Sequence, residues 1–188
     1  MLFRSVIHEE VSPASFKRDG GALEILQLWI NLPARLKGVA PRYVGVQSET
    51  IRRCHSDDGR CIVNLIAGDW QGANGPVSSL TGVFISTVEA AAGGRVNFEA
   101  LYGRDVFLYV VRGSIEVSGS PVGEFELADL GAGDSVEIKA MTPAVFVFGH
   151  AEPINEPVVT HGPFVMNTAE EIRRAYADYQ AGRFQNPV

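Results

Sequence analysis

Cysteine and histidine are scarce in this chain, which contains two cysteines and four histidines. Two cysteines cannot build the disulfide framework of a small secreted domain. Residues 1–10, MLFRSVIHEE, also lack the long apolar core of a secretion signal. These absences predict a cytoplasmic protein whose thiols stay reduced.

Long apolar runs and an excess of basic residues are lacking as well. The longest apolar run, residues 106–111, is far shorter than the roughly 20 residues that a membrane helix needs. The chain has 22 acidic and 16 basic residues, with a formal net charge of −6. We therefore expect no membrane segment and no direct binding of nucleic acid, because no positive field exists to attract phosphates.

Glycine and short apolar segments are plentiful. The chain has 188 residues, 46% of them hydrophobic, with 20 glycines and 10 prolines. Such a composition is too apolar for a disordered protein and too rich in glycine for a helical bundle. Alternating or fully apolar segments predict strands at 26–32, 62–66, 83–88, 96–98, 106–111, 115–117, 125–127, 136–138 and 145–148. Gly-containing turns, including 119–123 and 131–134, separate these segments, so the sequence predicts a mainly β fold, either a sandwich or a barrel.

One helix is predicted near the C-terminus. Thr168 and Glu171 have the spacing of a capping box. The apolar side of the helix consists of Ile172, Ala175, Tyr176 and Tyr179. We expect the helix to end near Gly182 and to pack on the outside of the β structure.

His8 and Glu10 are candidate metal ligands. If the stretch 2–11 is extended, residues two apart point to the same face and both side chains can reach one metal. Imidazole and carboxylate suit Fe(II), Mn(II), Ni(II) or Zn(II) equally well. Two ligands cannot complete a coordination shell, so the residues alone favour a surface strand with an incidental histidine.

The segment CHSDDGRC, residues 54–61, has the composition of a metal loop but not its spacing. A structural zinc site pairs two ligand couples, and no second couple follows here. We interpret the segment as a solvated turn, with a free-thiol role as the alternative. A cysteine nucleophile next to His55 would lack a third, orienting group.

Two long stretches carry a family resemblance. QLWINLPARLKGVAPRY (27–43) and EPVVTHGPFVMNTAEEIRRAYADYQAGRF (156–184), with IAGDWQGANGPV (66–77) and FLYVVRGSIEVSG (107–119) in order between them, resemble the pirin family of two-domain cupins. The resemblance implies two β-barrels, with one metal, usually iron, in the N-terminal barrel and none in the C-terminal barrel. It also implies either dioxygenase cleavage of the flavonol quercetin or a co-regulator that binds transcription factors.

The resemblance assigns His8 and Glu10 as metal ligands, because HEE (8–10) matches the later of the family's two ligand pairs, H-x-E. Glu10 would also assist proton removal from the substrate. The earlier pair, H-x-H, is not found among the seven residues before His8. We therefore expect an incomplete metal shell, weakly bound Fe(II) at most, and weak or absent activity in a chain of this length.

The resemblance predicts a partial N-terminal cupin domain over 1–80, and a complete C-terminal cupin barrel with its terminal helix over 81–188. A barrel that lacks strands exposes unpaired edges and apolar surface. We therefore expect a homo-oligomer. The expected partner is a flavonol substrate or, in the alternative, another protein bound by a non-enzymatic scaffold or transcriptional co-regulator.

Overall fold

The structure, a computed structural model, describes residues 11–40 and 42–184. Within these residues the α-helices are α1 (Ala14–Asp19) and α2 (Ala169–Gln180), and short 3₁₀ helices lie at Ala34–Leu36 and Ser48–Thr50. The strands are β1 (Arg52–His55), β2 (Cys61–Ala67), β3 (Asp69–Trp70), β4 (Ala73–Asn74), β5 (Phe84–Ala90), β6 (Arg95–Phe98), β7 (Asp105–Arg112), β8 (Ile115–Val117), β9 (Ser120–Val122), β10 (Leu127–Leu130), β11 (Val136–Ala140), β12 (Ala144–Ala151), β13 (Val159–His161) and β14 (Phe164–Met166). The mainly β prediction is confirmed.

The chain divides into two compact units. The barrel unit is Val44–Pro153, and the terminal unit combines Met1–Tyr43 with Ile154–Val188. The expected boundary between cupin domains near residue 80 lies inside the barrel unit, between β4 and β5. That boundary stays a prediction about the two cupin domains.

Two antiparallel sheets form the barrel unit. The larger has the strand order β1-β2-β5-β12-β7-β10, and the smaller has the order β6-β11-β8-β9. Along β2 and β5, every second side chain is buried, as expected for strands with one face toward a core. In β7, which the sequence predicts as apolar on both faces, the buried residues include Val106, Leu108 and Val110.

Aromatic side chains join the two sheets across this core. Phe98 of β6 stacks on Phe148 of β12, with ring centroids 3.8 Å apart and planes 10° from parallel. Phe84 of β5 meets both rings edge-on at 5.8 and 6.0 Å. Burial of each such ring stabilises the fold by about 2 to 3 kcal/mol. Aromatic and aliphatic side chains therefore fill the centre of the unit.

Helix α2 begins as the sequence predicts. Thr168 Oγ1 accepts a hydrogen bond from the backbone of Glu171, and the Glu171 carboxylate accepts one from the backbone of Thr168. Ile172 and Ala175 then pack on the β13–β14 hairpin, in a cluster with Phe164. The hairpin is thus the part of the β structure that receives the apolar side of the helix.

The predicted strand at 26–32 is wrong. Residues 21–33 have no regular secondary structure, and Leu26, Trp29 and Ile30 are 47, 66 and 50% exposed. Alternating apolar residues favour a half-buried strand, but a strand also needs a neighbouring strand that forms hydrogen bonds with its backbone N–H and C=O groups. None of the described strands pairs with this segment.

Smaller corrections concern the turns and the first helix. The predicted turn at 119–123 contains strand β9, and Phe125, expected in a strand, adopts a left-handed φ of 66° before β10 begins. Helix α1 was not predicted. None of its six residues is buried, and the helix therefore lacks the apolar stripe by which a helix is predicted from sequence. Among the residues that the structure describes, no helix is long and apolar enough to cross a membrane.

Candidate functional site

His8 and Glu10, the predicted metal ligands, lie outside the described residues. Their assignment stays a prediction. Among residues 11–40 and 42–184, no group of three His, Cys, Asp or Glu side chains is placed to hold a metal ion.

The interior of the barrel unit does not fit a metal. Its buried side chains are almost all apolar, and the largest are Phe98, Phe146, Phe148, Leu65 and Leu108. The buried side chains of this unit that carry an oxygen or sulfur atom are Ser56, Cys61 and Ser86, and the Ser86 hydroxyl has no hydrogen-bond partner in the described structure. Two hydroxyls and one thiol among hydrocarbon side chains are a poor donor set for a transition metal.

A cavity of about 410 Å³ opens at one end of the barrel unit. Its walls come from both sheets and from the loop 131–135 that joins β10 to β11. The volume lies within the range of small-molecule pockets. Apart from the glycines of the loop, nothing in the sequence indicates this cavity, because its walls come from strands that are distant in the chain.

Arg104 and His150 form a polar cluster in the same unit. Arg104 Nε donates a hydrogen bond to His150 Nδ1 at 2.6 Å, and Arg104 Nη2 donates to the Gly82 carbonyl at 2.6 Å. The imidazole stacks on Phe84, with centroids 4.8 Å apart and planes 6° from parallel. Glu152 lies 4.0 Å from the guanidinium.

This arrangement keeps His150 neutral. Burial and the Arg104 charge lower the pKa of His150 to about 4, against a weaker opposing effect of Asp69. Because Nδ1 accepts from Arg104, the proton of the neutral ring lies on Nε2. The cluster can therefore position Arg104 and donate one hydrogen bond, but it cannot act as a base through Nδ1. Sequence reasoning missed it, since its members are far apart in the chain.

The turn interpreted from the CHSDDGRC segment is confirmed for residues 56–60, which join β1 to β2. Cys54 and His55 end β1, and Cys61 is the buried first residue of β2. Asp58 organises the turn by accepting hydrogen bonds from Ser56 Oγ at 2.6 Å and from the backbones of Arg60 and Arg95 at 2.9 Å each. These bonds lower the pKa of Asp58. Cys54 and Cys61 are free thiols, and burial raises the pKa of Cys61, which disfavours the reactive thiolate.

A polar network joins the segments of the terminal unit. The Glu156 carboxylate accepts hydrogen bonds from the backbone of Ala34 at 2.7 Å and from Asn167 Nδ2 at 2.9 Å. Lys37 donates to Asn31 Oδ1 and to the Val165 carbonyl. Burial lowers the pKa of Lys37, while the charges of Glu156 and Glu171 oppose the shift. These bonds attach segment 31–37 to the hairpin and to the start of α2.

The chain is similar to known proteins over most of its length. Residues 85–185 match the pirin C-terminal cupin domain. The chain is 35% identical over 184 residues to a pirin-like protein of Caulobacter vibrioides, and the match covers 96% of this chain and 64% of that protein. It is 33% identical over 183 residues to human pirin, covering 94% of this chain and 61% of the human protein.

A solved structure shows the same fold. A crystal structure of quercetin 2,3-dioxygenase from Acinetobacter baumannii superimposes with a TM-score of 0.79 at 25% identity, over 84% of this chain and 56% of that one. The predicted cupin fold is confirmed. The chain spans less than two thirds of the length of each of these relatives.

Proposed function

Because this chain belongs to the pirin family of cupin proteins, we propose that it takes part in metal-dependent oxygenation of a flavonol. One observation carries the proposal: the structural match, at a TM-score of 0.79, to the quercetin 2,3-dioxygenase of Acinetobacter baumannii. His8 and Glu10 are the residues of this chain to which we assign the metal. Fe(II) is the metal we propose.

The roles of the two side chains follow from their chemistry. A neutral imidazole and a carboxylate both bind Fe(II). When bound, the metal supplies coordination for the oxygens of the flavonol and redox chemistry toward O₂. Glu10 accepts the proton of the flavonol hydroxyl. His8 remains neutral, because only a neutral imidazole has a free nitrogen lone pair with which to bind the metal.

Two donors hold a metal weakly. The two ligand pairs that the family resemblance implies, H-x-H and H-x-E, together supply four protein donors. His8 and Glu10 provide two of these, and the described residues contain no group of three His, Cys, Asp or Glu side chains placed to hold a metal ion. The 188-residue polypeptide is therefore proposed to bind Fe(II) weakly and to turn over a flavonol slowly.

The decay of quercetin absorbance in air tests this proposal. The assay compares the purified chain with excess Fe(II), the same Fe(II) without protein, and the variants His8→Ala and Glu10→Ala. We expect slow decay above the protein-free rate, and a loss of that excess in both variants. Decay that is equal in the variants and the unmodified chain would contradict the assignment of the ligands.

A second candidate function is a binding protein without catalysis. Its support is a segment of exposed apolar side chains in the terminal unit: Leu23, Ile25, Leu26, Leu28, Trp29 and Ile30. A cluster of exposed apolar side chains in one segment is typical of interaction sites. A chain that shows no quercetin decay but associates stably with a protein partner through this segment would favour the second candidate.

A further inference from the structure

The end of the barrel unit holds a cavity that the proposed metal chemistry does not use. Its lining includes Leu101, Val106, Ser120, Ala128, Leu130 and Val136. All of these residues belong to the described part of the barrel unit. At about 410 Å³ the cavity can hold a molecule with one or two rings.

The floor of this cavity is hydrocarbon. Leu101 lies in the loop between β6 and β7, Val106 in β7 and Val136 in β11, and each is at most 6% exposed. On β10, Ala128 pairs with Leu108 and Leu130 pairs with Val106, so both side chains share the inward face of β7. An apolar molecular body is therefore the natural occupant of the floor.

Charge is excluded from the cavity. Asp129 is the single ionisable residue among those that line it. It pairs with Phe107, on the strand face opposite to that of Ala128 and Leu130, so its carboxylate is directed away from the floor. A charged ligand would lose its hydration on the apolar floor and find no opposite charge there, which is costly.

The rim supplies hydroxyl groups. Ser120 of β9 pairs with Val117 of β8, so the two side chains lie on the same face of the sheet. Val122, two positions further along β9, lies on this face as well, and all three residues line the cavity. Ser118, with a left-handed φ of 50°, forms the tight turn that joins β8 to β9, together with Gly119. Serine hydroxyls both donate and accept hydrogen bonds, so they match a hydroxyl at one edge of a ligand.

We propose that this cavity is a second, metal-free binding site for an uncharged small molecule with an apolar ring body and a hydroxyl edge. The apolar floor packs against the rings of the ligand, and the serines of the rim form hydrogen bonds with its hydroxyl group. Because no charged side chain points into the cavity, the site disfavours carboxylates and phosphates. The site depends on residues 101–136 alone, so it is independent of His8 and Glu10.

The test compares two probes of nearly equal size, 2-naphthol and 2-naphthoate, by isothermal titration calorimetry at pH 7 with chelator present. We expect one equivalent of 2-naphthol to bind, with a Kd on the order of 1 mM or tighter for a ligand this small. We expect 2-naphthoate to bind at least about tenfold more weakly, because its charge is desolvated without a partner. Equal affinity for the two probes, or no binding of 2-naphthol, would overturn the proposal.

Variants locate the binding. Ala128→Phe fills the floor and Ser120→Phe fills the exposed rim, and each is expected to weaken 2-naphthol binding about tenfold or more. Leu127→Phe adds a ring on the outer, exposed face of the same strand and is the matched control, expected to leave binding unchanged. The rim variant keeps the test decisive if the floor variant does not fold.

Two further results separate this site from the proposed metal site. His8→Ala is expected to leave 2-naphthol binding unchanged, and 2-naphthol is expected to shift the backbone amide signals of Ser118 and Gly131 in NMR spectra. Binding that disappears in His8→Ala, or that fails to weaken in both cavity-filling variants, would contradict a site in the barrel unit.

Discussion

Arg104 Nε lies 2.6 Å from His150 Nδ1, and this hydrogen bond fixes the neutral form of the imidazole. The ring also stacks on Phe84 and is half-buried. Protonation of His150 would break the hydrogen bond and place a second positive charge next to Arg104. The cluster is therefore a structural device whose stability depends on pH. It ties the strand end at His150 to the loop before β7.

The first prediction concerns acid stability. The pKa of His150 is about 4 in the folded protein and near 6.5 in the unfolded chain. Between these values the unfolded chain takes up a proton that the folded protein does not. The free energy of unfolding should therefore fall as pH drops from about 6.5 to about 4, by about 2 kcal/mol after allowance for solvent screening, and this loss should level off below that window. Chemical denaturation at several pH values measures it.

The control for acid stability is His150→Asn, whose Oδ1 can still accept from Arg104. The variant should lack this part of the pH dependence while the acidic residues titrate as before. If it loses stability between pH 6.5 and 4 as steeply as the unmodified protein, His150 is not the group responsible.

A second prediction concerns the turn at 56–60. Asp58→Ala removes a carboxylate that accepts three hydrogen bonds, from Ser56 Oγ, Arg60 N and Arg95 N. We expect a loss of about 1 to 2 kcal/mol in the free energy of unfolding. The neighbouring Asp57→Ala should change stability by less than about 0.5 kcal/mol, as is usual for exposed positions. Equal effects in the two variants would show that the carboxylate of Asp58 does not organise the turn.

A third prediction concerns the start of α2. Thr168→Ala removes the side chain that caps the backbone of Glu171, at a cost of about 1 kcal/mol. Thr168→Ser keeps the hydroxyl and should retain most of the stability. Hydrogen exchange of amides in the first turn of α2 gives the readout, and exchange that is as slow in the alanine variant as in the unmodified chain would refute the capping role.

A fourth prediction concerns self-association, which the sequence led us to expect. The exposed apolar segment 23–30 should hold copies of the chain together, because its burial is favourable. Light scattering after size-exclusion chromatography should give a mass above 20.3 kDa. Leu28→Glu with Ile30→Glu should return the monomer. A monomeric unmodified chain would contradict the expected homo-oligomer.

Local signals in the sequence predicted much of this fold. The capping box of Thr168 and Glu171 located the helix, because its contacts lie within three residues. Short runs of apolar, β-branched and aromatic residues located β2, β5, β7 and β12, whose partner strands are present in the same unit. Alternation failed at 26–32, since alternation does not show whether a partner strand exists.

The site was less accessible to sequence reasoning. Arg104 and His150 are 46 positions apart, and only the pairing of β7 with β12 brings their surroundings together. The cavity at the end of the barrel unit likewise depends on strand register. His8 and Glu10 rest on the family resemblance and their two-residue spacing.

Cobalt(II) titration, followed by its visible absorption bands, tests most directly whether His8 and Glu10 bind the metal. The titration compares the unmodified chain with His8→Ala, Glu10→Ala and the control variants His55→Ala and His161→Ala. We predict weak binding of one equivalent, lost in the first two variants and retained in both controls. Binding that survives in His8→Ala and Glu10→Ala would contradict the ligand assignment and the flavonol chemistry that rests on it.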